Sequence, residues 1–479
     1  MKARRSVLGS FVKVRNQYGN LQLKPPLFLR HSSSSHSRES HPVMSNKVVQ
    51  NPSSLAAPES TGTLTATVED AAVVVEYPEE PVGIPAALLP SDVPAFMEVH
   101  IGDEIGPQGR YAIVRKLGYG SFSSVWLARD VSRQSASSKY VAIKILTGQA
   151  TRLVHTGIIR EARVLQYINL RSKFRHGGDK CVKLYDTFIC ETARNDTGPH
   201  QCLVTEVLGM DLNHFRDQYP GRALPLPLLK LLLQHLLTSL DFIHFGCTVT
   251  HTDLKPDNIM LASPFSDEQI MRILKEDPPK YYPPVLVLGR EVRPIVSQPL
   301  PALQVPMDQL VFKLADFGHA QICEEEVTND ISPRALRAPE VILQCGWNFK
   351  VDVWAVGCLT FELLTGSQLF TPEDNAAEGT TADDDHLLRI MKIQGCPFPT
   401  EFLAESHNRD LFLNADGTLI RIPSKSDART IAERIRDSKT VEDSRELMNA
   451  AAFIERCLQY VPEDRPDPIE LLEDPWLQG

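Results

Sequence analysis

His251-Thr252-Asp253-Leu254-Lys255-Pro256-Asp257-Asn258 sets an Asp, a Lys two residues on and an Asn five residues on in one short polar loop. Asp316-Phe317-Gly318 follows and adds a second carboxylate. Phosphoryl transfer needs such a set: a carboxylate to orient the attacking hydroxyl, oxygen donors for a divalent cation, and positive charge near the group in flight. Either motif alone could arise by chance. Their order along the chain, with further pieces on both sides, makes the signal specific.

Upstream lies Leu117-Gly118-Tyr119-Gly120-Ser121-Phe122-Ser123-Ser124-Val125. Two glycines let backbone N–H groups come close to phosphates, although the same pattern suits any tight hairpin. Val141-Ala142-Ile143-Lys144 comes next and ends an apolar strand pattern. A Lys there is ordinarily a solvated edge residue; following a glycine loop, it is placed to hold phosphates. Its carboxylate partner is expected from the next helix, where Glu161 is the only acid. Downstream, Glu340 of Ala338-Pro339-Glu340 has an expected partner in Arg465. Asp352 opens an apolar helix and is placed to cap it.

These side chains need a scaffold. Tyr111 to Leu117, Ser124 to Arg129, Tyr140 to Leu146, Val182 to Ile189 and Gln201 to Val207 read as strands, from alternation and β-branched residues. Thr156 to Leu170 reads as a helix, and helical patterns dominate from Leu226 onward. A strand-rich half with one main helix, followed by a helix-rich half, is an α+β, two-lobe pattern. Between Ala262 and Leu310 a Pro-rich insert separates Asn258 from Asp316. It is expected to be partly ordered at most, with a short helix at Asp267 to Lys275.

Ahead of the globular part, residues 1–40 carry eight Lys or Arg before or around the first acid, Glu39. Two readings stand for this segment: a mitochondrial transit peptide, or a basic tail. Residues 41–98 read as a disordered linker, with order beginning near Val99 and a single catalytic domain over 99–477.

The 479-residue chain is 42% hydrophobic and 23% charged, an ordinary globular composition. A net charge of −10 disfavours generic nucleic-acid binding and suits a basic partner. The nine Cys form no C-x-x-C pair and no zinc-like spacing, so they read as reduced thiols. The most apolar stretch, Leu224 to Phe245, carries Lys230, Gln234, His235 and Asp241 and reads as a core helix, not a bilayer span.

From about His100 onward the chain resembles the eukaryotic protein kinases, and among them the serine/arginine-rich-protein kinases. The motifs that carry the likeness include Gly109-Arg110-Tyr111, the run from Arg115 to Ala128, Glu206-Val207-Leu208-Gly209, Leu224-Pro225-Leu226-Pro227, His251-Thr252-Asp253 and Asp384-Asp385-His386-Leu387-Leu388. Thr252, in the place where most kinases have Arg, is characteristic of this family. Three features depart from it: Phe317 where Leu is common, an activation-segment end nearer the general kinase form, and a shorter insert.

The resemblance implies a bilobal kinase fold and an ATP- and Mg²⁺-dependent serine/threonine kinase. Leu117, Gly118, Gly120, Val125, Ala142, Lys144 and Glu161 would form the ATP site. The backbones of Glu206 and Leu208 would meet adenine, with Thr205 behind it. Asn258 and Asp316 would hold Mg²⁺, Asp253 and Lys255 would be catalytic, and Asp352 would have a second role open to it, bracing the catalytic-loop backbone. Substrates would be basic Arg/Ser-rich proteins such as splicing factors, with Asp383, Asp384 and Asp385 in an acidic docking groove. It further implies a monomer of the cytoplasm and nucleus, with no direct nucleic-acid or membrane partner. Alternatives are Pro-directed or dual specificity, and a nucleotide-binding pseudokinase scaffold. With no Arg at position 252, activity is expected not to require a phosphate on Thr328 or Ser332, the only hydroxyls between Asp316 and Glu340.

Overall fold

A computed structural model describes residues 80–83, 95–132, 138–191, 198–262, 265–287, 290–301, 305–323, 325, 328–422 and 429–479. The basic segment 1–40 and most of the expected linker lie outside the described residues.

The N-terminal lobe is a six-stranded antiparallel sheet. It contains β1 (Glu104–Ile105), β2 (Tyr111–Gly120), β3 (Ser123–Asp130), β4 (Tyr140–Leu146), β5 (Leu184–Cys190) and β6 (His200–Thr205), in the order β1-β2-β3-β4-β6-β5. Two helices lie between β4 and β5, α1 (Gly148–His155) and α2 (Glu161–Arg171). The helix expected over 156–170 is α2, which starts later, at Glu161; α1 precedes it and was not expected. The hydroxyl of Thr147 caps α1 by accepting from Ala150 N, and Gly157, at φ 77°, breaks the path before α2 begins. Val164, Leu165 and Ile168 form the buried stripe of α2, at the i, i+1, i+4 spacing of one helical face.

The C-terminal lobe begins with β7 (Leu208–Asp211) and the short α3 (Leu212–Phe215). The long α4 (Leu226–Asp241) buries Leu229, Leu233, Leu236 and Leu240 in the main core. Residues Pro220–Gly246 are long and apolar enough to cross a membrane, but these leucines are packed against other helices, as in a core helix. Next come β8 (Val249–Thr250), β9 (Ile259–Ala262), α5 (Asp267–Glu276), the hairpin β10 (Val285–Val287) with β11 (Arg290–Val292), β12 (Phe312–Leu314) and β13 (Gln321–Ile322). β9 pairs with both β12 and β7, and β13 pairs with β8. These two small sheets hold the loop 251–258 and the Asp316 turn side by side. α6 (Pro339–Leu343) then leads to α7 (Lys350–Thr365), a helix buried all round, and to α8 (Ala382–Gln394).

Two boundaries differ from the sequence reading. Order starts earlier: Ala95, Phe96 and Met97 are buried, and Ala95 O accepts from Gly148 N at 2.9 Å. Farther upstream, Glu80 is buried, and its carboxylate accepts from Ser297 N, 217 residues away. The insert is also better ordered than expected. α5 carries a full capping box between Ser266 and Gln269, and Ile270 and Leu300 join Leu127 and Tyr140 of the N-lobe in a hydrophobic cluster. The order of both segments was underestimated because the residues that order them are far away in sequence.

The expected pairing of Glu340 with Arg465 is present and completely buried, with contacts of 2.6 and 2.8 Å. Arg465 also donates to the carbonyls of Gln459, Tyr460 and Lys350, so its donors are well used. Changing Arg465 or Glu340 to Ala strands the other charge, and urea unfolding should show a loss of roughly 3–5 kcal/mol. The double variant should lose clearly less than the sum of the two.

Candidate active site

Lys144 reaches from β4 to two carboxylates. Its Nζ lies 2.8–2.9 Å from both oxygens of Glu161 and 2.8 Å from Asp316 Oδ1. The three groups come from a strand and a helix of the N-lobe and a turn of the C-lobe. Burial alone would lower the pKa of Lys144, but Asp316 and Glu161 together raise it above the usual lysine value. Lys144 in turn holds the Asp316 carboxyl well below the carboxylate range. Burial pushes Glu161 up, against the opposing charge of Lys144. One cation between two carboxylates leaves an excess negative charge, which a further cation would balance.

Asp316 sits in left-handed backbone at φ 56° and accepts from Gly318 N. A Cβ on Gly318 would lie 3.1 Å from Asp316 Oδ1 and 3.7 Å from Glu161 Oε2, so a glycine keeps this turn tight. Phe317 between them is fully buried, its ring 5.1 Å from that of His251. His251 Nδ1 accepts from Asp253 N, which leaves Nε2 to donate to Ala315 O at 3.1 Å. Burial lowers the pKa of His251, consistent with this neutral form.

The catalytic-loop side chains converge on Asp253. Lys255 Nζ is 2.8 Å from Asp253 Oδ2, and Asn258 Nδ2 donates to Asp253 O and Oδ2 at 2.8 and 2.9 Å. The amide oxygen of Asn258 is thereby left to accept or to ligate a cation. That oxygen and the Asp316 carboxylate are the hard oxygen ligands that suit Mg²⁺. Beside Asp253 opens a cavity of about 320 Å³, with Lys255, His319, Asp330, Ser332 and Arg337 on its walls.

The loop is held from below. Of the two roles open to Asp352, bracing is the one observed: Oδ2 accepts from His251 N and Oδ1 from Thr252 N, at 2.8 and 2.9 Å. It also lies 2.8 Å from His244 Nε2, while the cap position of α7 is Phe349. Thr252 adopts φ 65°, a strained choice for a β-branched residue, and its hydroxyl donates to His319 O at 2.8 Å. Thr252 therefore ties the catalytic loop to the residue after Gly318, in the place where an Arg was missing.

The upper wall is formed by β2 and β3. Gly118 stands opposite Val125, Val125 opposite Lys144, and Leu127 opposite Ala142. Neither Gly118 nor Gly120 has a heavy atom within 4 Å of where a Cβ would stand, so internal packing does not require these glycines and the space suits a close ligand. Leu117 and Val125 are half-buried and Ala142 is buried. At the hinge, Thr205 Oγ1 donates to Glu206 O at 3.2 Å, and Glu206 N donates to Lys183 O. The Glu206 carboxylate binds Lys313 Nζ at 2.7 and 2.9 Å, fixing the start of the C-lobe. Leu208 opens β7, opposite Ala262.

Several participants carried no sequence signal. Glu325 accepts from Arg160 and Arg163 at 3.0 Å and so links the activation segment to α2. Asp330 likewise receives Arg337 at 2.8 Å. His319 Nδ1 lies 3.7 Å from Asp253 Oδ2. The acidic run of α8 is also used differently. Asp384 is buried, closes the capping box with Thr381 and pairs with Arg421; Asp385 binds Arg389. Those two acids stabilise a helix start and are not presented as an open groove.

The chain belongs to the protein kinases: the family described as "Protein kinase domain" matches residues 111–477. Within it the chain is a serine/threonine protein kinase of the SR-protein-kinase-like kind. It is 30% identical to "Serine/threonine-protein kinase SRPK" of Physarum polycephalum over 77% of this chain and 86% of that one. It is 24% identical to "SRSF protein kinase 3" of Mus musculus, over 80% and 88%. A solved structure titled "Crystal structure of PF14_0431, kinase domain." superposes with a TM-score of 0.57 at 25% identity, covering 80% of this chain and 98% of that one. Enzymes of this family generally use ATP and Mg²⁺.

Asp253→Ala or Lys144→Ala should abolish phosphoryl transfer in a kinase assay while circular dichroism stays native. Each residue acts on positioning or charge rather than in the hydrophobic core. Turnover near wild type in Asp253→Ala would remove Asp253 from the mechanism.

Proposed function

We propose that this kinase transfers the γ-phosphoryl group of ATP to Ser in basic Arg/Ser-rich proteins. Asp253 orients the acceptor hydroxyl and takes its proton. Lys255, 2.8 Å from it, offsets charge on the transferred group. Asn258 and Asp316 hold Mg²⁺, which supplies charge neutralisation at the phosphates when bound. Lys144, fixed by Glu161, holds the α- and β-phosphates, and the backbones of Gly118 and Gly120 cover them. Leu117, Val125 and Ala142 line the adenine pocket, with the backbones of Glu206 and Leu208 at its edge. The observation that carries the phosphotransfer reading is Lys144 gripping Glu161 and Asp316 at once, which assembles both lobes around one cleft.

The likeness to SRPK and SRSF protein kinase 3 supports the substrate class. A net charge of −10 adds general attraction for basic segments. On a degenerate peptide array, Ser flanked by Arg should be phosphorylated most strongly. A dominant preference for Pro after the acceptor, or comparable use of Tyr, would overturn this assignment.

Activation should need no added phosphate. Arg160 and Arg163 are already engaged by Glu325, and Arg337 by Asp330, so carboxylates do the docking that a phosphate does elsewhere. Thr328→Ala/Ser332→Ala, or phosphatase treatment, should leave kcat within a few-fold. A loss on the order of 10²-fold, about 2.7 kcal/mol in the transition state, would show that phosphate ordering is required.

A further inference from the structure

The insert between β9 and β12 leaves the C-lobe and returns to it, yet its body is bonded to the N-lobe. β9 follows Asn258 directly, and β12 precedes Asp316. Between them the chain reaches β2 immediately ahead of Leu117 and Gly118. Arg115 is 1% exposed, and its guanidinium contacts are with the insert: Nε donates to Gln298 O at 2.8 Å, Nη1 to Asp277 O at 2.9 Å, and Nη2 to Asp277 Oδ2. Gln298 N donates back to Lys116 O at 2.9 Å, and Gln298 Nε2 to Asp277 Oδ2 at 3.0 Å. Lys116 Nζ lies 2.5 Å from Glu80, whose other contacts are with Ser297 of the insert.

The place of this latch in the sheet is informative. The pairing of β2 with β3 is irregular twice, between Ile113 and Arg115 and between Lys116 and Gly118. Such bulges bend a strand and redirect its side chains. Here they bracket the two residues held by the insert, so the insert is attached where β2 turns into the glycine loop. Its helix α5 adds an apolar contact: Ile273 and Leu274 join a cluster that also takes in Leu117 and, at the hinge, Val207.

We infer that the insert is a strap across the hinge, and that Arg115 and Asp277 are positioning residues for nucleotide binding. Asp277 fixes Arg115, Arg115 fixes the direction of β2, and β2 places Leu117, Gly118 and Gly120 over the cleft. A surface salt bridge would have little effect on such a geometry. A guanidinium buried in a strand is different, because losing its partner leaves a desolvated charge that the strand must move to relieve.

This inference rests on ATP being the bound nucleotide, which wild-type protein tests separately by its own saturation with a fluorescent ATP analogue. Asp277→Ala should raise the Kd for that analogue and KM for ATP about tenfold. It should leave kcat within about threefold and KM for peptide unchanged. Asp277→Glu should recover most of the loss. Hydrogen exchange across residues 117–125 should quicken in Asp277→Ala and return in Asp277→Glu. If Asp277→Ala does not fold, Asp277→Asn keeps an acceptor for Arg115 Nη2 without the charge and should still raise KM for ATP about threefold. KM for ATP within twofold of wild type in a folded variant, or a lower melting temperature as the only change, would overturn the assignment.

Discussion

One ammonium group shared by two carboxylates organises this molecule. Lys144 comes from the N-lobe sheet, Glu161 from α2 and Asp316 from the C-lobe, and all three meet within 2.8–2.9 Å. The pairing sets the position of α2 against the sheet and of the N-lobe over the C-lobe. Glu161 is the buried member, so losing Lys144 would leave a carboxylate that water barely reaches. The rest of the structure holds the three elements in that arrangement.

Several of those supports share one device: a buried or half-buried charged side chain that receives backbone N–H groups or reaches backbone carbonyls. Asp352 accepts two amides of the catalytic loop and keeps Thr252 in left-handed backbone. Arg465 collects three carbonyls while paired with Glu340. Arg115 collects two carbonyls of the insert. Irregular backbone leaves donors and acceptors that no regular ladder can satisfy, so a fixed side chain must do it. The loops that carry the chemistry are thereby rigid although they belong to no long strand or helix.

The activation segment follows the same logic with carboxylates. Glu325 and Asp330 engage arginines on α2 and near α6, and the Thr252 hydroxyl holds His319 O. Each contact is modest where it is exposed. Together they hold the segment at both of its ends, beside the Lys144–Glu161 pair.

The residues that meet in the cleft were legible from sequence as a candidate set because they come in short runs of characteristic spacing. Asp253, Lys255 and Asn258 lie within one loop, and the apolar period around Lys144 marks the strand that aims it. Composition likewise sufficed for the two-lobe division and for α4, whose leucines repeat at helical spacing. What the sequence could not give were distant contacts whose members lie outside the motifs; Glu340 and Arg465, 125 residues apart, were paired because each sits in one. Glu80 meets Ser297, Arg115 meets Asp277, and Arg160 meets Glu325, across separations of 217, 162 and 165 residues. No local pattern marks either member of such a pair. The helix expected at 267–275 is present, but the wider order of the insert and the pairing of Asp384 and Asp385 were missed for the same reason: local composition describes solubility and turns, whereas burial against a distant surface decides order and charge pairing. Residue type and spacing determined which reaction this chain is equipped for, and tertiary packing decided which other charges hold the site in place.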